Sequence, residues 1–414
     1  MLIFWYLGET LYGFDGKRRF EVSDGVIEEI RGRSLVILMD LSAHGLRVVD
    51  RLFDGDISAF RVRSYRLNIY KLSYRRLTFK NASLFGLDII DETSWADVQE
   101  LESFLWRTCN SSLYSSEVVS SASVAGRCMG KGWFLKSCPE SLAVVEESYF
   151  GGRLQVFKTG RFERVNYFDF PSAYGNILGM ELPVGVGLSQ EPDINKPGFY
   201  LAEYDSRGGH IRLPSRHGAT GGTEYLPAGR GVYWHKELLS VTRGGGVVKL
   251  ISGAEVISSG RPFMGVSRAL LRERMLGSKH AKLVINSVYG KLATKYSEYE
   301  DVLIFCEPFS TGNEPFEFVS YKRYGRAVLI RRGVGECRRP ERSNVAAAAV
   351  ITSEARIKLN AAVGDILAAG GDVLYVDTDS VFWTGGVPPG LAVSGVGRLE
   401  LRGARDYEFE KSTK

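Results

Sequence analysis

The stretch that most constrains this chain is Leu374 to Trp383, reading L-Y-V-D-T-D-S-V-F-W. Two apolar runs flank a short acidic turn, which is the pattern of a β-hairpin. Residues two apart on an extended segment point to the same side. Asp377 and Asp379 can therefore face one cleft. Taken alone, paired acids in a turn are usually only solvated turn formers, so the remaining sequence has to decide between the two readings.

With 414 residues, the chain has room for two or three domains and a sizeable core. Hydrophobic residues make up 44% and charged residues 24%, as in an ordinary soluble globular protein. The net charge of +5 says little, but its distribution says more. Arg61 to Lys80 holds seven Lys or Arg and no acid, interleaved with Tyr65, Tyr70, Tyr74 and Phe79. This stretch reads either as a nucleic-acid track, with cations for phosphates and rings for stacking, or as the solvated face of paired strands. A second basic cluster runs from Lys322 to Arg342. The five cysteines are scattered without a C-x-x-C pair, which fits reduced thiols in a cytosolic-type compartment and not a disulfide framework. The opening M-L-I-F-W-Y-L is too short for a signal peptide and lacks a basic start. No apolar run reaches a membrane-spanning length.

Along the chain, Leu35–Asp40 reads as a buried strand and Ala96–Arg107 as a helix. Tyr149–Arg153, Y-F-G-G-R, is a turn whose glycines permit close backbone approach. Residues 163–170 form a strand ending at Asp169, and Pro171 and Ser172 open a helix that carries Tyr174. Residues 186–262 are rich in Gly, Pro and short strands and read as an inserted subdomain. His210, His217 and His235 lie within it without metal-ligand spacing. Residues 266–295 have strong helical periodicity. There Arg272, Lys279, Lys282 and Asn286 form a polar stripe, Lys282, Asn286 and Tyr289 share one face, and Gly290 permits close approach. Ala346–Ala369 is a helix that Gly370 and Gly371 end.

An acid ending a strand, a helix bearing cations and an amide, and a hairpin with paired acids are the parts that phosphoryl transfer needs. Charge spreads over phosphate oxygens in that transition state, so catalysis is positioning plus electrostatics. Two Mg²⁺ ions about 4 Å apart can stabilise the attacking and leaving oxygens. Such ions take one or two carboxylates plus substrate phosphates.

These segments also resemble a known family. D-F-P-S-A-Y-G-N-I, from Asp169, is similar to the first polymerase motif of the family B DNA polymerases, D-x-x-S-L-Y-P-S-I. K-L-V-I-N-S-V-Y-G, Lys282 to Gly290, matches K-x-x-x-N-S-x-Y-G, and Y-V-D-T-D-S, Tyr375 to Ser380, matches Y-x-D-T-D-S. Tyr149–Arg153 resembles the Y-x-G-G motif of the protein-primed branch found in viruses and plasmids. The resemblance covers 149–414. It implies that Asp169 and Asp379 are the principal metal ligands, with Asp377 and the Phe170 carbonyl supporting. It gives Tyr174 the place under the incoming sugar, Lys282 the triphosphate, and Asn286 and Tyr289 the base-pair pocket. Arg272 and Lys279 join the nucleotide group on helix geometry. Tyr149, Gly151, Gly152, Arg153 and Gly290 are assigned to DNA. The implied cofactor is a pair of Mg²⁺ ions, with Mn²⁺ as a substitute. The implied partners are template and primer DNA, deoxynucleoside triphosphates and a terminal protein primer, with no membrane. The implied place is the cytoplasm of a virus or plasmid host.

The expected fold is α+β. It comprises a degenerate exonuclease-like α/β domain over 1–145 and the first part of a right-hand palm over 146–262, with an insertion at about 186–250. Helical fingers follow over 263–295, then the second part of the palm over 296–395 and the start of a truncated thumb over 396–414. Departures from the family shape two further expectations. In L-G-E-T, Leu7 stands where a proofreading relative has its first Asp, and the surroundings of His44 and Asp50 only faintly resemble the second exonuclease motif. A DNA-templated DNA polymerase without proofreading is therefore expected. Only 35 residues follow Asp379, so either the chain is a fragment or another subunit supplies the thumb. The competing reading is a polymerase relative that binds nucleic acid without catalysis. A reverse transcriptase fits less well, since its hairpin reads Y-x-D-D and Thr378 separates the acids here.

Overall fold

The computed structural model describes residues 1–7, 10–23, 26, 29, 35–41, 49, 61–65, 68–74, 77–115, 118, 120–130, 134–216, 222–294, 299–305, 318–324, 327–333, 343–391, 393, 395–401 and 407–411. His44, Asp50 and His217 lie outside them. The chain forms two compact units. The first joins Met1–Gly130 to Glu273–Pro340, and the second joins Lys131–Arg272 to Glu341–Lys414. The segment expected to resume the palm at 296 thus begins within the first unit, and residues 131–145 belong to the second.

The first unit is built on a seven-stranded sheet. Its order is Arg19–Glu21, Thr10–Phe14, Leu2–Leu7, Leu35–Met39, Leu77–Asn81, Asn68–Tyr74 and Arg61–Tyr65. The three central strands run parallel. Leu2–Leu7 and Leu35–Met39 carry continuous apolar runs, as central parallel strands do, and Ile3, Ile37, Leu38 and Phe79 are fully buried. Helix Trp95–Cys109 has the expected position. The basic stretch Arg61–Lys80 becomes three antiparallel strands, and Lys80 departs from both of its readings. Its side chain is fully buried. Its ammonium donates to the carbonyls of Leu113 (2.5 Å), Ser115 (2.8 Å) and Val118 (2.5 Å). Burial pushes its pKa down to about 7, Lys71 acts in the same direction, and Glu102 opposes both. Lys80 is thus an internal tie for the segment at 113–118, with no surface to offer a nucleic acid.

The expected long helix at 266–295 is two helices. Met264–Met275 ends at Gly277, whose φ of 90° is open mainly to glycine. Lys279–Leu292 then starts afresh, with the Ser278 hydroxyl accepting from the Ala281 N–H at 3.3 Å. Ala281, Val284, Ile285, Val288 and Leu292 form its buried face. Lys279, Lys282, Asn286 and Gly290 lie on the exposed face, and Tyr289 is half-buried. Arg272 sits on the preceding helix, so the single polar stripe divides at the turn.

The second unit carries a six-stranded sheet. In chain order its strands are β1 (Leu154–Val156), β2 (Gly160–Asp169), β9 (Gly371–Asp377), β10 (Ser380–Gly385), β11 (Gly395–Leu401) and β12 (Tyr407–Lys411). The spatial order is β12-β11-β2-β10-β9-β1. Of the residues expected to start a thumb, 396–401 lie in β11 and 407–411 in β12 of this sheet. The intervening chain forms β3 (Leu182–Leu188), β4 (Gly198–Asp205), β7 (Ala228–Trp234) and β8 (Val247–Gly260) in a second sheet of order β3-β8-β4-β7. The hairpin β5 (Leu213–Arg216) and β6 (Thr223–Leu226) stands beside them. The helices are α1 (Pro139–Glu147), α2 (Ala173–Leu178), α3 (His235–Arg243) and α4 (Val345–Ala368). α4 is apolar on nearly every side and buried almost throughout, as an all-round apolar helix must be. Its small residues let α2, α3, β3 and β9 pack closely around it. Asn344 caps it, accepting from the Ala347 N–H at 2.8 Å, and Gly370 (φ 75°) ends it.

Replacing Lys80 with Met leaves three inward carbonyls without donors, and unmet buried acceptors cost about 1–3 kcal/mol each. Lys80→Met is expected to lower the urea midpoint of the first unit by more than any exposed lysine-to-methionine change. Circular dichroism during urea titration measures this.

Candidate active site

The paired acids sit at the tip of the β9–β10 hairpin. Asp377 pairs with Ser380, leaving a two-residue loop of Thr378 and Asp379. Thr378 has φ 59°, at the loop position where two-residue hairpins usually place glycine. A β-branched residue there is strained, and local bonds hold it in place. Its N–H donates to the Arg153 carbonyl at 2.7 Å, and its hydroxyl donates to Asp377 Oδ1 at 3.0 Å.

β2 runs along the other side of β10, with Asp169 opposite Ser380. One row across the sheet therefore reads Leu154, Asp377, Ser380, Asp169. Asp377 and Asp169 stand two strand spacings apart, about 10 Å at the backbone. Asp379 lies closer, because the Phe170 N–H donates to its carbonyl at 2.8 Å. β2 ends here, since Pro171 has no N–H to extend the ladder and Ser172 turns the chain with φ 52°. The Asp377 carboxylate also accepts from the Tyr375 hydroxyl at 3.3 Å. Asp169, Asp377 and Asp379 are all half-buried, while their strand neighbours Tyr375, Val376, Ser380 and Val381 are buried.

Among the described residues no three His, Cys, Asp or Glu side chains come close enough together to hold a metal ion. The donors the backbone brings together are Asp169, Asp379 and the main-chain oxygens between them. This hard-oxygen set fits Mg²⁺, which takes one or two protein carboxylates and completes its shell from substrate and water.

Comparison with solved structures finds phi29 DNA polymerase. In its ternary complex with primer-template DNA and incoming nucleotide substrates, it superposes with a TM-score of 0.69 at 15% identity, covering 97% of this chain and 85% of that one. Its complex with single-stranded DNA gives 0.68 at 15% identity, covering 97% and 84%. The chain shares the fold of phi29 DNA polymerase. No family model matches the sequence, and comparison with curated proteins finds no match.

The Y-F-G-G-R turn is built against the hairpin tip of this polymerase fold. A Cβ on Gly152 would lie 2.8 Å from Thr378 Cγ2 and 2.9 Å from the Tyr174 hydroxyl, so only glycine fits. Tyr174 is 4% exposed, and its ring lies inside the unit beside that glycine. Gly151, by contrast, is exposed, and an added Cβ would meet nothing within 4 Å. Tyr149 is half-buried, and its carbonyl accepts from Arg216 at 3.0 Å. The Arg153 side chain is fully buried and bonded to Gln155 and Asn360. Its expected DNA contact is thereby corrected, because the guanidinium is turned away from the surface.

Arg356, on α4, went unnoticed in the sequence. Its five N–H groups all find acceptors. Nε and Nη2 take the Glu237 carboxylate at 2.8 and 3.0 Å, and Nη2 also donates to Ser353 Oγ at 2.7 Å. Nη1 donates to the carbonyls of Phe150 (3.0 Å) and Gly151 (2.7 Å). Burial opposes its charge, but the Glu237 carboxylate outweighs burial and the pKa is raised. The signal available in the sequence was a cation on a predominantly apolar helix, where a buried charge rarely occurs without a partner. Lys279, Lys282, Asn286, Tyr289 and Gly290 belong to the first unit and lie on the helix described there.

Gly152→Ala is expected to cost about 1–3 kcal/mol through overpacking and to speed amide exchange at Thr378. Gly151→Ala should leave both unchanged. Glu237→Ala strands the Arg356 charge and should cost about 3–5 kcal/mol. Denaturant titration with hydrogen exchange by mass spectrometry reads all three.

Proposed function

We propose that this chain is a DNA-templated DNA polymerase of the family B, protein-primed type, serving the replication of a viral or plasmid genome without proofreading. One observation carries the reading. The strand register sets Asp169 beside the hairpin tip that bears Asp379, in a chain with the fold of phi29 DNA polymerase. Two segments more than 200 residues apart thereby present hard-oxygen donors together at a half-buried position.

In the proposed reaction a primer 3′ hydroxyl, or a hydroxyl of a terminal protein, attacks the α-phosphate of a deoxynucleoside triphosphate, and pyrophosphate leaves. Asp169 and Asp379 would hold the divalent ions, with the Phe170 carbonyl as a further donor. Mg²⁺, or Mn²⁺ in its place, supplies charge stabilisation for the attacking and leaving oxygens when bound. Asp377 works from one step away: tied to Tyr375 and Thr378, it stiffens the turn that aims Asp379. Gly152 and Tyr174 close the inner side of that turn. The exposed Lys282 ammonium suits a triphosphate as a point charge, and Asn286 and Tyr289 share its motif. The seven-stranded N-terminal sheet is assigned to an exonuclease-like domain that guides template and does not trim it. Leu7 in place of the first carboxylate supports this assignment.

Primer extension with Mg²⁺ on a primed template tests the reading. Asp169→Ala and Asp379→Ala should each reduce incorporation by more than about a hundredfold, while primer-template affinity stays within about threefold of wild type. Asp377→Asn should lose less than either. Absence of incorporation by the wild-type chain on both DNA-primed and protein-primed templates overturns catalysis. Near-normal extension by Asp169→Ala overturns the site.

A further inference from the structure

Two fully buried arginines of the second unit are compensated in opposite ways. Arg356 faces a carboxylate and uses every donor. Among the described residues Arg153 has only neutral acceptors. Its Nε and Nη2 donate to Gln155 Oε1 at 3.0 and 2.6 Å, and Nη1 donates to Asn360 Oδ1. Three of the five guanidinium donors are thus used. The Arg153 Cζ lies 5.3 and 5.5 Å from the ring centroids of Phe157 and Tyr225, which supply π-faces but no counter-charge. Burial lowers its pKa to about 10; Tyr225 acts against this, and the nearby Arg212 adds to it.

Arg212, just before β5, repeats the imbalance. Its Nη1 is buried and has no hydrogen-bond partner among the described residues. The third member is His210, half-buried and seated against Gly364, where an added Cβ would lie 2.7 Å from the imidazole Cε1 and Nε2. Burial lowers the His210 pKa. The Asn360 carbonyl opposes that fall, Arg153 and Arg212 reinforce it, and Asp365 opposes it. Arg153 and His210 both abut α4, at Asn360 and one turn on at Gly364, and Arg212 lies two residues from His210 and opens the hairpin whose Tyr225 ring faces Arg153. Unmatched charge and unused donors in such a place are costly, and the inexpensive remedy is an anion from outside.

We propose that Arg153, Arg212 and His210 form a subsite for a phosphate-class oxyanion. The half-exposed Arg212 and His210 are its contact groups, and the fully buried Arg153 lies behind them and adds its charge. The planar guanidinium matches phosphate oxygens in pairs. The anion arrives either as the phosphodiester of a single strand or as free phosphate or pyrophosphate. The subsite adjoins the hairpin through the main chain, since the Arg153 carbonyl holds Thr378 and the Tyr225 hydroxyl donates to the Gly152 carbonyl at 3.0 Å. The proposal does not rest on catalysis, because a chain that only bound DNA would keep the same three side chains.

Thermal melting at constant ionic strength, with inorganic phosphate or pyrophosphate replacing chloride, provides the test. Wild type should gain roughly 2–4 °C, and Arg212→Met should lose that gain, with His210→Gln intermediate. Titration with an oligothymidylate separates the sources. If the site takes a phosphodiester, Arg212→Met weakens binding about three- to tenfold and lowers the salt slope by about one. If the ligand is free phosphate, oligonucleotide binding is unchanged and only the melting shift disappears. Arg212→Lys keeps charge without the fork; should Arg212→Met fail to fold, partial retention of either response in Arg212→Lys supports the subsite. Responses to both ligands that are identical in wild type and the variants overturn the proposal, as does the absence of both in wild type.

Discussion

The arrangement around the acids depends on one buried ion pair. Arg356 and Glu237, 1% and 2% exposed at their side chains, lock α4 to α3. A buried pair of this kind does little for net stability compared with well-packed apolar residues. Its value here lies in direction. With Glu237 neutralising the guanidinium, Nη1 is left to hold the carbonyls of Phe150 and Gly151. The main chain at 149–153 is thereby set against the helix. The Arg153 carbonyl then holds the strained Thr378, and Thr378 fixes the turn that presents Asp379. The line from Glu237 to the acidic tip runs through the ion pair, the hydrogen bonds on either side of the 150–153 main chain, and one tight van der Waals contact at Gly152.

This line explains why the strain at Thr378 persists. A left-handed backbone at a β-branched residue costs of order 1–3 kcal/mol and survives only where its surroundings over-determine it. Three things do so here. The N–H is bonded to Arg153, the hydroxyl is bonded to Asp377, and the side chain packs against Gly152. Glycine in place of threonine would suit the φ angle but would lose both the hydroxyl and the packed methyl. The acid–threonine–acid spacing is therefore a structural requirement: the middle residue anchors the two carboxylates that flank it.

Much of this was legible in the sequence, for physical reasons that differ by residue. The hairpin, the strand ending at Asp169 and the helix over 345–368 announced themselves through apolar period and punctuation by Pro171 and Gly370. The meeting of Asp169 with the hairpin came from matching three motifs, since no local periodicity encodes a pairing between segments so far apart. Three features were hidden. Gly277 divides the helix at 266–295 because a left-handed φ overrides helical propensity on both sides. Lys80 and Arg153 look like surface cations in sequence, yet each is buried on acceptors from distant segments. Residues 396–411 lack a clear pattern because β11 and β12 extend an existing sheet, and added outer strands need little hydrophobic signal of their own.

The two arginines also bear on which parts of the site are complete within the protein. Arg356 is self-sufficient, with charge, donors and geometry all met by protein atoms. Removing any one partner can only leave a defect. Arg153 and Arg212 hold surplus charge and spare donors in the same unit, so removing Arg212 relieves one cost as it withdraws a binding group. A site built for structure and a site built for a ligand therefore respond oppositely to neutralisation in the absence of ligand. The first loses stability outright. The second holds steady or gains and reveals its loss only when an anion is present. The two arginines stand on opposite sides of that criterion, although they belong to one folded unit and their bonds reach the same Tyr149–Arg153 turn.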